Sequence, residues 1–264
     1  MIHLYHNDMS VCAQKVRLVL AHKNLSWEGT HLNLRAGEQS TPDFRKISPK
    51  GVVPVLVHDG DVITESNAIV EYLDEVFPDA QLMPLNAVER ANARVWLIRL
   101  DAGLHEQVAV ISFCVAFRHQ LLQRHATDES LKSFFAQIAD PARRAVMEDI
   151  VINGIESPRL YLAGLAYKKL INDMAAVLER SDWLVAGNIS LADFAMLPYI
   201  ERLEQLQLSG WWSQYPQLGH WLTRIRATDA YQRGVGEWNN PSYIRLMKET
   251  GSEAWPKMKA LLPI

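Results

Sequence analysis

Strand-like alternation is confined to the first quarter of this chain; beyond residue 86 the apolar residues recur at helical spacing. A period of two places successive side chains on opposite faces of a sheet, whereas spacings of three and four gather them on one helical stripe. Residues 2–6 alternate Ile2, His3, Leu4, Tyr5 and His6, which predicts a short strand. Ser10 then precedes Val11, Cys12, Val16, Val19 and Leu20, an apolar stripe that predicts a helix to about Lys23. Residues 28–34 alternate again, with Thr30, Leu32 and Leu34 opposite His31 and Asn33. A polar stretch from Arg35 to Lys50 leads into Val52–Val57, a buried strand entered through Pro54. Asp59-Gly60 is a strong hairpin signal, and Val62-Ile63-Thr64 is expected to pair back antiparallel. Ser66 to Phe77 reads as a helix with Ile69, Tyr72, Leu73 and Val76 on one face, ended by Pro78.

The order β-α-β followed by β-β-α is that of a thioredoxin-like domain, expected over residues 1–80. Pro84-Leu85-Asn86 reads as a linker. Helical runs follow at Val88–Gln123, Leu160–Leu178, Ser190–Leu206 and Leu218–Tyr231, with Thr127–Ser157 read as the tips of a long antiparallel helical hairpin. Gly234–Ile264, carrying Pro241, Pro256 and Pro263, reads as a tail. The expected fold class is therefore α/β plus all-α, with an all-helical second domain over residues 81–264. A length of 264 residues allows two such cores. The net charge of −3 excludes a basic nucleic-acid footprint as the organising feature. Cys12 and Cys114 do not make a disulfide framework, so a reducing, cytoplasmic setting is expected. No apolar run approaches the roughly 18 residues of a membrane span, and the N-terminus has no leader pattern.

Few residues carry obvious chemistry. The nine histidines show no metal-ligand spacing, and His119 and His125 share no single helix face, so no metal is expected. Gly234-Val235-Gly236 lacks the Gly-Lys-Ser/Thr of a phosphate loop. The carboxylate pairs Asp59/Asp61 and Glu201/Glu204 read as solvated surface, and Trp211, Trp212, Trp221 and Trp238 as packing residues. Ser190-Leu191-Ala192-Asp193 is a capping box. Two places say more. Ser10 sits at a strand-to-helix junction, where a hydroxyl either caps the helix or hydrogen-bonds an anion held at its N-terminus. Val53-Pro54 is a candidate cis bond that frees Val53 to pair with an extended peptide, and Glu65-Ser66 opens a second helix. Two anion sites and a peptide-pairing edge suit a small peptide bearing a thiolate and a carboxylate.

These residues resemble the cytosolic glutathione transferase family over about residues 2–235: Leu4-Tyr5, Ser10 to Leu20, Asn33 to Pro54, Asp59-Gly60, Thr64 to Ile69 with Tyr72-Leu73, and Leu184 to Gly187 before Ser190 to Asp193. The spacing from Leu4-Tyr5 to Ser10 and Lys15-Val16-Arg17 is similar to the zeta-type enzymes. The resemblance implies that Ser10 donates to the glutathione sulfur and Val53 pairs with the cysteinyl backbone. It implies that Glu65 and Ser66 hold the γ-glutamyl end, while Gln39 and Lys50 stand near the glycyl carboxylate. Glutathione is then the cosubstrate, attacking an electrophilic, aromatic small molecule between the domains, with His105, Ser112, Phe113, Phe117 and Trp212 as pocket candidates. Detoxification and a homodimer follow from the same resemblance, with neither nucleic acid nor membrane as a partner. Met9 to Cys12 also resembles the tetrachlorohydroquinone dehalogenases, whose cysteine at the position of Cys12 exchanges thiols. Trp96 to Phe117 resembles the β-aryl-etherases. A binding protein of the same fold without turnover is the further alternative. Cys12 also shares the stripe of Val16 and Val19, which suits a packed thiol.

Overall fold

The computed structural model describes residues 1–138 and 140–261. Its elements are β1 (Ile2–His6), α1 (Val11–His22), β2 (Glu28–His31), α2 (Pro42–Ile47), β3 (Val55–His58), β4 (Asp61–Ile63) and α3 (Ser66–Val76). Helices follow: α4 (Ala87–Arg99), α5 (His105–Ser112), α6 (Arg118–Arg124), α7 (Asp128–Ala136), α8 (Pro141–Asn153) and α9 (Pro158–Leu178). The last are α10 (Leu191–Gln205), α11 (Pro216–Arg226), α12 (Asp229–Gly234) and α13 (Pro241–Leu261). The small sheet and its flanking helices form a thioredoxin-like arrangement, and the described elements after α3 are helical. Two compact units divide the chain: Met1–Arg99 with Met174–Ile200 and Pro216–Pro241, and Leu100–Asp173 with Glu201–Tyr215 and Ser242 onward.

In the first unit the sheet runs β2-β1-β3-β4, with β1 parallel to β2 and antiparallel to β3, and β3 antiparallel to β4. The alternation of β1 buries Ile2, Leu4 and His6 on one face. Tyr5, on the other, packs with Leu32, Phe44, Val53 and Val55. Phe44 comes from α2, which lies inside the stretch that reads as merely polar. Thr41 starts it by accepting the Phe44 amide, and Pro42 occupies the first turn, where its missing N–H costs nothing.

Helix α1 is buried nearly all round, where the sequence shows only one apolar stripe. The reason is that α3 and α12 both pack on it. Its polar residues must then find partners inside the protein. Lys15 Nζ donates to Asn67 Oδ1 at 2.7 Å, and Arg17 is likewise committed to protein acceptors. At the far end of α1, Lys23 meets Asp74 at 2.7 Å, with both side chains almost fully enclosed. Asp74 also accepts the Leu82 and Met83 amides, tying the chain after α3 to the sheet domain. Asp193 is a second buried anchor. It accepts the Leu184 and Ser190 amides, the Ser190 hydroxyl and the Trp221 indole N–H.

The long helical run Ala87–Arg124 contains a window of mean hydropathy 1.3, long and apolar enough by composition to cross a bilayer, contrary to expectation. Leu97, Leu100, Val108, Val110, Ile111 and Val115 within it are buried in protein. Two π-helical turns, Leu100–Leu104 and Phe113–Phe117, interrupt it, and Gly103 takes φ 126° in the first. Wider turns of this kind concentrate at functional positions.

In the second unit the expected hairpin tips are two separate helices, α7 and α8, packed on each other. The expected tail is also corrected: its described part from Pro241 on is α13. Met247, Gly251, Ala254 and Met258 form its buried stripe. A Cβ on Gly251 would come within 2.1 Å of the Leu206 carbonyl oxygen, and one on Gly210 within 2.1 Å of the Trp255 ring. Such close packing supports a helix with Pro256 inside it, although its seam contains little bulky apolar side chain. Pro263 lies outside the described residues. Glu201 is buried rather than solvated.

Candidate active site

Register brings the predicted site residues to one end of the sheet. Tyr5 pairs with Val55, so Val53-Pro54 lies beside the end of β1 from which the chain turns into α1. Leu56 pairs with Ile63, so Thr64, Glu65 and Ser66 emerge at that same end. Lys50 Nζ reaches Glu65 Oε1 at 2.6 Å. A Cβ on Gly51 would lie 2.9 Å from the Gln39 carbonyl oxygen, which places Gln39 against the Lys50-Gly51 turn. Ser10, Gln39, Lys50, Val53, Glu65 and Ser66 thus share one edge of the thioredoxin-like fold.

Ser10 is the N-cap of α1, with φ −69° and ψ 117°, and its Oγ accepts the Ala13 amide at 3.3 Å. The two roles that the sequence leaves open for it are therefore compatible. A hydroxyl accepts through a lone pair and donates through its proton. Accepting from Ala13 leaves the proton for an anion beside the first turn of α1, where exposed N–H groups and the helix dipole favour negative charge.

The Val53-Pro54 peptide bond is cis, as the sequence suggests. Val53 precedes the β3 ladder, which begins at Val55. Glu65 adopts φ 65° and ψ 112°, a backbone conformation that L-residues rarely hold, and caps α3 without a side-chain bond. Such a conformation persists where its surroundings over-determine it, and it aims the side chain for use elsewhere. Here the carboxylate meets Lys50, the two groups that the resemblance sets at opposite ends of the ligand. Gln39 donates Nε2 to the Leu34 carbonyl at 3.2 Å.

The turn before Ser10 is closely held. Met9 N–H donates to Asn7 Oδ1 at 3.0 Å and to Asp8 Oδ1 at 2.9 Å. Asn7 Nδ2 donates to the Leu32 carbonyl at 3.0 Å. Burial alone would raise the Asp8 carboxyl, but hydrogen bonds from Asn240, His31 and the Met9 amide hold it below its ordinary value. Burial and the Arg17 charge push His6 down to about 3. Arg17 Nη1 lies 3.2 Å from His6 Nδ1, and a guanidinium only donates, so the neutral imidazole carries its proton on Nε2. Burial also lowers Arg17 itself, to about 9, which leaves it cationic at neutral pH.

Cys12 is half-buried, with Sγ 3.6 Å from the Tyr199 hydroxyl, so it is neither sealed in the core nor fully open. Cys114 is buried, and burial pushes its thiol up to about 12. Among the described residues no cluster of three or more metal-ligating side chains forms. Of the pocket candidates, all in the second unit, Ser112 and Trp212 are buried and His105, Phe113 and Phe117 half-buried. Phe113 and Phe117 meet edge to face at 5.7 Å, and the Arg202 guanidinium lies 5.1 Å from the Phe117 ring.

Two family models match the chain: glutathione S-transferase, N-terminal domain, over residues 9–76, and glutathione S-transferase, C-terminal domain, over residues 166–229. The chain belongs to the glutathione S-transferase family. It is 28% identical to protein LigF of Sphingobium over 237 residues, 87% of this chain and 91% of that one. It is 26% identical to a probable maleylacetoacetate isomerase of Vibrio cholerae over 243 residues, covering 90% and 96%. The crystal structure of the β-etherase LigF superposes with a TM-score of 0.80 at 27% identity, covering 89% of this chain and 99% of that one. As a member of this family the chain is an enzyme, a glutathione transferase with glutathione as cosubstrate.

Two residues of the site are not singled out by sequence. Arg17 enters there only within the Lys15-Val16-Arg17 match, and Trp238, whose ring lies 4.9 Å from the Arg17 guanidinium, only as packing. A cation inside a helix that packs on two sides is the signal that could single out Arg17.

Proposed function

We propose that glutathione binds along the sheet end that carries Ser10, Val53 and Glu65-Ser66, with Ser10 donating to its sulfur. The observation that carries this reading is the strand register, which gathers two helix N-termini and the Val53-Pro54 step before the ladder at one edge. The γ-glutamyl ammonium takes the place of Lys50 at Glu65, and the Lys50 ammonium is released toward the glycyl carboxylate together with Gln39. A free thiol with pKa near ~8.5 is only a few per cent ionised at neutral pH. Lowering it by about two units favours the anion by ~2.7 kcal/mol, within reach of a charge-assisted hydrogen bond and a helix terminus.

The thiolate then attacks the electrophilic carbon of an aromatic small molecule. The carbon–sulfur bond forms as the bond to the leaving group breaks, and the leaving group departs with the electron pair. Aryl-ether cleavage, with an aryloxide as leaving group, is a second reading, favoured by the near-complete likeness to a protein described as a β-etherase. Turnover of chlorinated quinones, aryl ethers and nitroaryl halides with glutathione separates the two. Thioether formation from the quinones or nitroaryl halides supports the transferase reading, and thioether formation with aryloxide release confined to the ethers supports the second. Glutathione binding without turnover of any would leave a binding protein.

The enzyme is further read as a cytoplasmic homodimer with a detoxifying role. Val88, Val95 and Ile98 on α4 are exposed at helical spacing, an apolar stripe suited to a second copy of the chain.

A further inference from the structure

Arg17 has 1% of its surface exposed and meets no carboxylate within ion-pair distance among the described residues. It donates Nε to the Gly234 carbonyl, Nη1 to the Asn7 carbonyl and Nη2 to the Asp8 carbonyl, each at 2.8 Å. Enclosing a guanidinium is costly unless its donors are met, and here they join two stretches of backbone distant in sequence. One is the turn into Ser10; the other is Gly234 at the end of α12, where the next segment begins. The Trp238 ring covers the guanidinium at 4.9 Å and meets His6 edge-on at 4.7 Å. Asn240 Nδ2 donates to Asp8 Oδ2 at 3.0 Å, while the other Asp8 oxygen accepts the Met9 amide. A continuous relay thus runs from Asn240 through Asp8 to Met9, the residue before Ser10. The segment lies directly on α1: a Cβ on Gly234 would come within 2.8 Å of the Leu18 nitrogen. Asn7, Asp8 and residues 234–240 all fall outside the stretches matched by the two family models.

We propose that the segment Gly234–Asn240 is a strap that fixes the direction of the Ser10 hydroxyl, with Arg17, Trp238 and Asn240 as positioning residues. This rests on the assignment of Ser10 as donor to the glutathione sulfur. A donor aimed at a thiolate must be held within about 0.5 Å and 10–20° of its productive geometry. A turn between a strand and a helix does not secure that by itself. Arg17 holds the Asn7 and Asp8 carbonyls of the turn and the Gly234 carbonyl of the strap, Asn240 holds the Asp8 carboxylate, and Trp238 keeps water from competing for the guanidinium.

The test uses the full chain with Asn240→Ala, Trp238→Leu, Arg17→Lys and Ser10→Ala. The thiolate fraction of saturating bound glutathione is read by ultraviolet absorbance against pH, and glutathione Kd and kcat are measured separately. The strap predicts that Asn240→Ala and Trp238→Leu lower the thiolate fraction at neutral pH, and kcat with it, by about threefold or more. Glutathione Kd stays within about twofold, because the distant γ-glutamyl and glycyl contacts are untouched. A purely structural role would lower Tm and leave the thiolate fraction unchanged. If Arg17→Lys does not fold, Asn240→Ala decides, since it removes a hydrogen bond at a half-buried position. A parental thiolate fraction in Asn240→Ala and Trp238→Leu, with a reduced one in Ser10→Ala, overturns the strap alone. A parental fraction in Ser10→Ala overturns the Ser10 assignment and the strap together.

Discussion

The exposed pair of Glu65 and Lys50 is expected to matter to binding and little to stability. They meet at 2.6 Å with most of both side chains in solvent, where such a pair contributes only about 0–1 kcal/mol. Glu65→Ala is expected to weaken glutathione binding about tenfold or more while the thiol titration of the complex keeps its midpoint, since the proposed contact of this carboxylate is with the far end of the peptide. Calorimetric binding and ultraviolet titration of one preparation check both halves; a parental Kd rejects the assignment. Cys12 is predicted to be dispensable for simple conjugation. Cys12→Ser should keep nitroaryl turnover within about twofold, because serine can retain the contact to Tyr199. With a chlorinated hydroquinone, reduced product from the parent and a stalled glutathione conjugate from the mutant would place Cys12 in the chemistry instead. His6 yields a pH prediction. Its folded pKa of about 3 lies below the unfolded ~6.5, so between these values the unfolded chain binds more protons. Its contribution is therefore present above pH ~6.5 and lost as pH falls toward 3. Urea midpoints measured across that window should fall with pH, and less steeply in His6→Gln, whose amide oxygen can still accept from Arg17. Equal slopes would contradict a buried neutral His6.

At the scale of elements, buried polar anchors hold what hydrophobic packing alone leaves loose. Asp193 serves four donors, and burial raises its carboxyl even though each of them opposes that shift. Asp193→Ala strands those donors and should cost about 3 kcal/mol or more, whereas Ser190→Ala should cost about 1. Equilibrium unfolding of both variants measures the difference; similar losses would contradict the network. The same elements show what is legible in the sequence. β1, α1, β4 and α3 are readable to within a residue or two because period, cap and turn signals agree. α2 is hidden because only Phe44 and Ile47 mark its inward side, within a stretch of polar residues. α13 is hidden because glycine and alanine fill much of its seam, and three prolines suggest a tail. Of the site, Ser10 and Glu65-Ser66 announce themselves as caps, and Val53 through its proline. Arg17 and Trp238 acquire their role only from contact between residues more than 200 positions apart, which no local pattern encodes.

For the molecule as a whole, assembly and catalysis are separable expectations. The exposed Val88, Val95 and Ile98 stripe predicts that Val95→Glu with Ile98→Glu shifts the sedimentation mass from dimer to monomer. A parent that sediments as a monomer rejects that reading without touching the site. The central claim is that Ser10 stabilises the glutathione thiolate, and titrating the thiol in complex with the parent and with Ser10→Ala tests it most directly. In the parent the bound thiol is expected to titrate about two units below the free value of ~8.5. In Ser10→Ala the midpoint returns toward the free value, glutathione still binds, and conjugation slows about tenfold or more. An unchanged midpoint and an unchanged rate in Ser10→Ala would contradict it.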